Sequence, residues 1–225
     1  TQTPRPPRDT QTPTPVETVT PGTPSPTPVP TIVEVEIPLP NLPSGALPLT
    51  FVRIPPGSII MGATDEWSKP SQQPRHAIHI DYEFYMGKYE VTCAHYRAVL
   101  GESPRMCWGN NYPVTETSWD EWQVFINELN ALNYGTFTIP SEAEWEYACR
   151  AGALTRFHFG DSDCPPVGSP YYCNLHDYAN WDGNTGNEPQ RVGLKLPNLF
   201  GLHDMHGNVE EWRLDDWHES YSGPG

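Results

Sequence analysis

Hydrophobic and polar residues alternate in two stretches of the first half of the chain, and this period-2 pattern predicts β-strands. In LTFVRIPPGSIIMG (49–62) the alternation breaks at Pro-Pro-Gly, so we expect a strand, a turn and a second strand. In HAIHIDYEFYMGKYEVT (76–92) the apolar side chains on one side are Ile78, Ile80, Tyr82 and Phe84. That spacing predicts one half-buried strand.

Three segments between residues 92 and 152 carry helix boundary signals. A Ser or Thr precedes each apolar run, and two of the runs have a Glu three residues later, which is the capping-box pattern. The boundary residues are Thr92 and Gly101 for the first segment, Ser118 with Glu121 for the second, and Ser141 with Glu144 and Ala151-Gly152 for the third. With the strands, these helices predict an α+β domain.

The two ends of the chain differ in composition. Residues 1–45 are rich in Thr and Pro and have too little apolar surface to offset the entropy of ordering, so we expect a disordered linker. The same composition occurs in stalks that hold a domain away from a cell surface. Residues 46–225 are expected to form the globular domain, which is loop-rich after residue 152 because Gly, Asn, Asp and Pro dominate there.

The formal net charge of the 225 residues is -15. Such a protein repels phosphate backbones, which argues against nucleic-acid partners. No run of about 20 apolar residues is present, so we expect no membrane insertion in this segment.

Five cysteines are present, none of them in a Cys-x-x-Cys pair, which argues against a zinc ribbon or a thioredoxin-like motif. Cys164 and Cys173 flank a short Pro/Gly loop and form either a disulfide or two buried thiols. Cys149 lies on the apolar side of the third predicted helix and is expected in the core. The odd count suggests that a partner cysteine is missing.

The segment FGLHDMHGNVEEW (200–212) has the highest density of chemically reactive groups. His203 and His206 would need a third ligand and a shared helical face to bind zinc or iron, and the loop-like sequence provides neither. We therefore interpret both histidines as structural.

Five motifs in series resemble the formylglycine-generating enzyme family, whose members are also called sulfatase-modifying factor domains. They are IPPGSIIMG (54–62), YMGKYEVT (85–92), YPVTETSW (112–119), IPSEAEWEYACRAG (139–152) and NLFGLHDMHGNVEEW (198–212). The resemblance covers residues 50–217 and implies a loop-rich variant of the C-type lectin fold.

The family's enzymes oxidise a sulfatase cysteine to formylglycine with O2 and copper(I). The copper is held by two cysteines that follow a segment resembling RGGSW. No such segment occurs before Gly225, so the resemblance implies a domain cut short at its C-terminus, without catalytic residues in this segment and with exposed apolar surface. Other departures are Cys93 in place of Asn, Thr138-Ile139-Pro140 in place of Arg-Leu-Pro, and Glu210 in place of an aromatic residue.

These departures favour an extracytoplasmic binding or scaffold module on a stalk, with a protein, peptide or glycan as its partner. The alternative is a copper-dependent oxidase that acts on a sulfatase polypeptide, with its catalytic cysteines beyond residue 225. An RGGSW-like segment and two cysteines in the parent reading frame would distinguish the two.

The resemblance also implies calcium. Its ligands would be the side chains of Asp204 and Glu211 and the backbone carbonyls of Gly207 and Val209, a hard-oxygen set that suits this ion. Gly207 is expected to allow the sharp turn that directs the carbonyls inward. The alternative is a metal-free turn in which Glu211 caps backbone N–H groups.

A second calcium would use Asn180 and Trp181, with Asp182 and Asn184 as substitutes for the acidic partner that the following loop lacks.

Overall fold

The computed structural model describes residues 31–63, 68–164 and 173–221, so residues 1–30 of the predicted linker lie outside the described part. A strand nevertheless forms inside the segment that composition assigned to the linker. It is β1 (Glu34–Ile37), and it pairs antiparallel with the strand that begins at Leu49. The predicted domain boundary at residue 46 is therefore too late. Ile37 and Leu39 are buried and supply the apolar contacts that hold this segment on the domain.

Two antiparallel sheets form the β part of the described residues. The first has the order β1-β2-β5, with β2 at Leu49–Ile54 and β5 at Phe84–Gly87. The second pairs β3 (Gly57–Met61) with β4 (His76–Ile80). The strand, turn and second strand expected over 49–62 are confirmed as β2 and β3.

The single strand expected over 76–92 is wrong, because β4 and β5 belong to different sheets. The chain leaves the second sheet after Ile80, and Tyr82 in the connection is 49% exposed. Alternating residues alone could not reveal this division, since both strands keep the same period and only their pairing partners differ.

The three predicted helices are confirmed with their caps. They are α1 (Cys93–Leu100), α2 (Trp119–Ala131) and α3 (Glu142–Arg150). The hydroxyls of Thr92, Ser118 and Ser141 each accept a hydrogen bond from the backbone N–H three residues later. The C-cap residues of α1 and α3, Gly101 and Ala151, adopt left-handed conformations.

After α3 the described chain is irregular, apart from the one-turn helices α4 (Leu175–Tyr178) and α5 (Asp182–Thr185). A 3-10 turn at Pro70–Gln72 precedes β4. The result is the loop-rich α+β fold that the sequence predicted. No helix among the described residues is long and apolar enough to cross a bilayer.

Two hydrophobic clusters form the core. The first joins β2, β3 and α3 to the loop after residue 198, and its members include Val52, Ile54, Tyr147, Leu202 and Met205. The second joins β1, α1 and α2, and its members include Ile37, Leu49, Tyr96, Phe125 and Leu129. The loop that carries the candidate calcium ligands is therefore anchored in the first cluster by three of its own side chains, Phe200, Leu202 and Met205.

Two disulfides link loops to these elements. Cys164 and Cys173 are bonded, which decides between the two alternatives for that pair. Cys93 at the start of α1 is bonded to Cys107, a pairing that no local pattern in the sequence predicted. Cys149 is a free, buried thiol in the first core cluster, as predicted.

Candidate cation site and central groove

The turn 200–212 is built from residues in unusual backbone conformations. Gly201 has a φ of 89°, Asp204 a φ of 60° and Asn208 a φ of 75°, so these three residues make the left-handed bends. Gly207 has no positive φ, so the expectation that it is needed for a sharp turn is wrong. A Cβ at Gly207 would overlap the carbonyl oxygen of Asn180, so glycine is needed for close approach of two loops.

Asn208 fastens the turn to three neighbouring segments. Its backbone N–H donates to the carbonyl of Asn180 at 2.8 Å, and its Oδ1 accepts from the backbone N–H of Gln190 at 2.8 Å. Its Nδ2 donates to Oε1 of Glu90 at 3.0 Å. The hydrogen bond between Asn208 and Glu90 therefore joins the β5–α1 connection to the turn.

Asp204 lies at the bottom of the site, with 2% of its surface exposed. Its Oδ2 accepts from the backbone N–H of Gly193 at 2.6 Å. Its Oδ1 is buried and has no hydrogen-bond partner among the described residues, and the same is true of Oε2 of Glu90. Burial, together with the neighbouring Asp204 and Glu211 carboxylates, raises the pKa of Glu90 well above its usual range.

Glu211 forms the outer part of the site, and its side chain is 30% exposed. Oε2 accepts from the indole Nε1 of Trp145 in α3 at 3.0 Å and lies 3.6 Å from Nη1 of Arg213. The hydrogen-bond donor to Glu211 is thus an indole. The metal-free alternative had predicted that Glu211 accepts from backbone N–H groups instead. The Arg213 guanidinium covers the Trp145 ring, 3.9 Å from its centroid.

The donor set at this turn suits calcium. Carboxylates and backbone carbonyls are the ligands that calcium prefers, and buried carboxylate oxygens without donors indicate a missing positive charge. The residues that would hold the ion are Asp204, Gly207, Val209 and Glu211. One of the four is already engaged within the turn, since the Gly207 carbonyl accepts a hydrogen bond from Val209 N at 3.2 Å.

The second candidate pair, Asn180 and Trp181, gains no such support. The Trp181 carbonyl accepts hydrogen bonds from Asn184 N, Thr185 N and Thr185 Oγ1, at 2.9, 3.0 and 3.1 Å. Asn180 is 4% exposed, and its carbonyl contributes to the first site by holding Asn208. Calcium at this pair stays a prediction.

The two histidines of the motif make separate contacts. Nδ1 of His203 lies 2.8 Å from the Lys195 carbonyl. Nε2 of His206 lies 2.8 Å from Nδ1 of His158, and its Nδ1 lies 3.6 Å from Sγ of Cys149. Burial lowers the pKa of His206 to about 3 and that of His158 to about 4, so both rings are neutral at pH 7. These contacts fit the structural role expected of His203 and His206.

The cysteines of this chain do not fit copper(I), which takes thiolate ligands. Four are consumed by disulfides, and the fifth, Cys149, is buried. Burial raises the pKa of the Cys149 thiol to about 12, so it is protonated at neutral pH. Asp163 lies close to Cys164 and Cys173, but those two sulfurs are bonded to each other.

A large groove, which we call the central groove, has a volume of about 2150 Å³ and is lined by residues of both core clusters. All of β5 lines it, and β5 is one of the two edge strands of its sheet among the described residues. Glu90, Asp204 and Glu211 are among the residues that line the same groove. Its larger apolar side chains include Phe51, Met86, Trp122, Phe137 and Trp145.

Comparison with known proteins places this geometry in a family. The model described as "Sulfatase-modifying factor enzyme 1-like domain" matches residues 44–224. The chain is 26% identical over 211 residues to a "Chaperone protein LppX" of Paenibacillus barcinonensis, a match that covers 74% of this chain and 73% of that protein. It is 33% identical over 147 residues to a "Formylglycine-generating enzyme" of Thermomonospora curvata, covering 59% of this chain and 44% of the enzyme. This chain therefore spans less than half the length of that enzyme.

Solved structures give the same picture. PvdO from Pseudomonas aeruginosa superimposes with a TM-score of 0.63 at 28% identity, covering 77% of this chain and 73% of PvdO. The Treponema denticola variable protein 1 superimposes with a TM-score of 0.62 at 23% identity, which is a likeness of fold alone. It covers 81% of this chain and 77% of that one.

Proposed function

The chain belongs to the sulfatase-modifying factor enzyme 1-like family, and on this premise we propose that residues 1–225 act as a calcium-stabilised binding module rather than as an oxidase. The observation that carries the proposal is the state of the cysteines. Two disulfides and one buried, protonated thiol leave no pair of thiolates to hold copper. Without that pair these residues cannot supply the family's oxidase chemistry.

The binding surface of the proposed module is the central groove. Aromatic and aliphatic side chains line it, and the edge strand β5 offers unpaired backbone groups to an extended chain. The relative named as a chaperone covers most of this chain and supports a polypeptide as the bound partner. The groove of this module would therefore take an extended protein segment by strand addition to β5.

The proposed location is outside the cytoplasm. Disulfides form and persist in oxidising compartments and are rare in the cytosol, and this domain has two. A Thr/Pro-rich segment before the domain would act as the stalk.

A second function is favoured by the names of several relatives. The Thermomonospora curvata protein is called a formylglycine-generating enzyme, and an oxidase of this kind would require a thiolate pair from outside residues 1–225.

The two functions are separated by incubating the protein with copper(I), O2 and a cysteine-containing sulfatase peptide, followed by mass spectrometry of the peptide. The Thermomonospora curvata enzyme is the positive control. We expect unchanged peptide mass and no copper(I) taken from a competing chelator. Conversion of the cysteine to formylglycine would overturn the module proposal for this chain.

Binding in the groove is tested with a fluorescein-labelled, carboxymethylated unfolded polypeptide and fluorescence anisotropy. Tyr85 lines the groove on β5 and is 44% exposed, so Tyr85→Asp should weaken binding at least about fivefold. Val124 on α2 is 53% exposed and does not line the groove, so Val124→Asp is the matched control. Equal affinities for wild type and Tyr85→Asp would rule out β5 as the binding edge.

A further inference from the structure

Three side chains of metal-ligating type, from two segments, meet at the Cys164–Cys173 disulfide. Asp163 and Cys164 lie in the loop that follows α3, and Cys173 lies two residues before α4. A carboxylate oxygen of Asp163 and the two sulfurs all lie within 4.8 Å of one another. Among the described residues this is the one group of three His, Cys, Asp or Glu side chains with such spacing. Neither the calcium turn nor the binding groove accounts for it.

The Asp163 carboxylate is held beside the sulfurs by Asn174, the residue after Cys173. The Asn174 N–H donates to Oδ1 of Asp163 at 2.7 Å, and the Asp163 N–H donates to Oδ1 of Asn174 at 3.1 Å. Nδ2 of Asn174 also donates to the carbonyl of Asp161 at 2.9 Å. These bonds join the two segments independently of the disulfide. We therefore expect the three side chains to stay together when the sulfur–sulfur bond is broken.

We propose that reduction of this disulfide creates a zinc site, in which the thiolates of Cys164 and Cys173 and the carboxylate of Asp163 are the ligands. The reductant is a dithiol. One of its thiolates attacks Sγ of Cys164, which is half-buried, whereas Cys173 is 2% exposed. Cys173 leaves as a thiolate, and the second thiol of the reductant then releases Cys164. Two electrons and two protons pass to the cysteine pair, and the reductant leaves as its own disulfide.

Zinc suits this ligand set in geometry and in charge. Tetrahedral zinc with bonds of about 2.3 Å to sulfur and 2.0–2.2 Å to oxygen keeps its ligands roughly 3.6–3.8 Å apart, which the observed spacing allows. Two thiolates and a carboxylate repel one another, and no basic side chain among the described residues forms an ion pair with Asp163. A divalent cation removes that repulsion. Copper(I) prefers soft ligands alone, so the carboxylate favours zinc.

The competing explanation is a structural disulfide beside a carboxylate that serves only to bond Asn174. Asp163→Asn separates the two, because the amide keeps an oxygen that can accept from the Asn174 N–H but lacks the negative charge of a zinc ligand. Asp161→Asn removes one carboxylate from an equally exposed position two residues away and is the matched control. A variant with both Cys164→Ser and Cys173→Ser lacks the thiol ligands and keeps the other three cysteines.

The full chain is reduced with dithiothreitol, separated from it under argon and titrated with cobalt(II), which is then displaced by zinc. We expect a thiolate-to-cobalt charge-transfer band in the reduced protein alone, and release of about two protons for each zinc bound. The Kd for zinc should rise at least about tenfold in Asp163→Asn and change less than about twofold in Asp161→Asn. The double serine variant should show no band, and a cooperative melt of this variant shows that the domain folds without this disulfide.

A reduced wild-type protein without the charge-transfer band would overturn the proposal. So would a band that persists in the double serine variant, since the metal would then be bound by the other cysteines. Equal zinc affinities for wild type and Asp163→Asn would overturn the three-residue site and leave the structural disulfide as the explanation. None of these titrations measures calcium or polypeptide binding, so their failure leaves the proposed function to its own tests.

Discussion

The indole N–H of Trp145 donates a hydrogen bond of 3.0 Å to the Glu211 carboxylate. This bond joins α3 to the turn 200–212 across 66 residues of sequence. Arg213 lies over the face of the same indole, 3.9 Å from the ring centroid. The position of the outer carboxylate is thus set by a helix of the first core cluster.

Trp145→Phe should remove this hydrogen bond while keeping an aromatic ring beneath Arg213. Because the bond is to a charged group, we expect the free energy of unfolding to fall by about 1.5–3 kcal/mol. The measurement is urea denaturation followed by circular dichroism. Trp217→Phe, at a side chain that is 77% exposed, is the control and should change stability by less than about 0.5 kcal/mol. Similar losses in both variants would contradict the role of the bond.

Gly207→Ala should destabilise the protein by several kcal/mol, roughly 2–4, because the new Cβ would overlap the Asn180 carbonyl and push two loops apart. In the control Gly135→Ala, the nearest atoms belong to the Phe137 ring, at 3.9 and 4.0 Å, which is ordinary contact. Thermal melts of the two variants provide the comparison. A Gly207→Ala protein as stable as wild type would show that the loops can separate freely.

Calcium should raise the melting temperature, and EDTA should lower it. A ligand that binds only the folded state stabilises it by RT ln(1 + [L]/Kd), which is about 2.7 kcal/mol at a hundredfold excess over Kd. Glu211→Gln should reduce the shift, because it removes charge from the outer ligand. The melting temperatures are measured by differential scanning calorimetry with and without EDTA. Equal melting temperatures would refute the assignment of calcium to this turn.

Thiol labelling should follow the assignment of the five cysteines. In the native, unreduced protein at pH 8 we expect iodoacetamide to modify none of them, because four are bonded and burial raises the pKa of Cys149 to about 12. Unfolding without reductant should expose one thiol, and unfolding with reductant should expose five. Mass spectrometry counts the adducts. If the native protein is labelled rapidly and Cys149→Ala abolishes the labelling, the Cys149 thiol is accessible and this prediction is wrong.

Acid should destabilise the folded state through His158 and His206. Their folded pKa values, about 4 and about 3, lie below the value of about 6.5 for an unfolded histidine. Between pH 6.5 and pH 4 the unfolded chain therefore binds more protons than the folded protein, and stability falls as the pH falls. Above pH 6.5 these two groups contribute no pH dependence.

His206→Phe isolates this effect, because the variant cannot bind the proton. Its melting temperature should decrease less than that of wild type between pH 7 and pH 5. NMR of the ring protons should show His158 and His206 still neutral at pH 5.5. Parallel pH profiles for the two proteins, or a ring titration near pH 6.5, would refute the buried, neutral assignment.

The family motifs and local patterns were sufficient to predict much of this protein. Capping residues identified α1, α2 and α3 because a cap is a local interaction between residues three apart, such as Ser141 and Glu144. The same applies to the burial of Cys149 on the apolar side of α3. The order of motifs, from IPPGSIIMG to the 198–212 segment, placed the chain in its family and located the candidate cation turn.

The tertiary structure decided what depends on contacts between distant residues. A period-2 pattern does not record which strand is the partner, so the division of 76–92 into β4 and β5 and the pairing of β1 were not predictable. Three further features were not predictable for the same reason, because each is a contact between separate parts of the chain. They are the Cys93–Cys107 bond, the close approach of Gly207 to Asn180, and the proximity of Glu90 to Asp204. Local chemistry specified which groups were present, whereas packing decided which of them come together in a buried site, where an unpaired charge needs a partner.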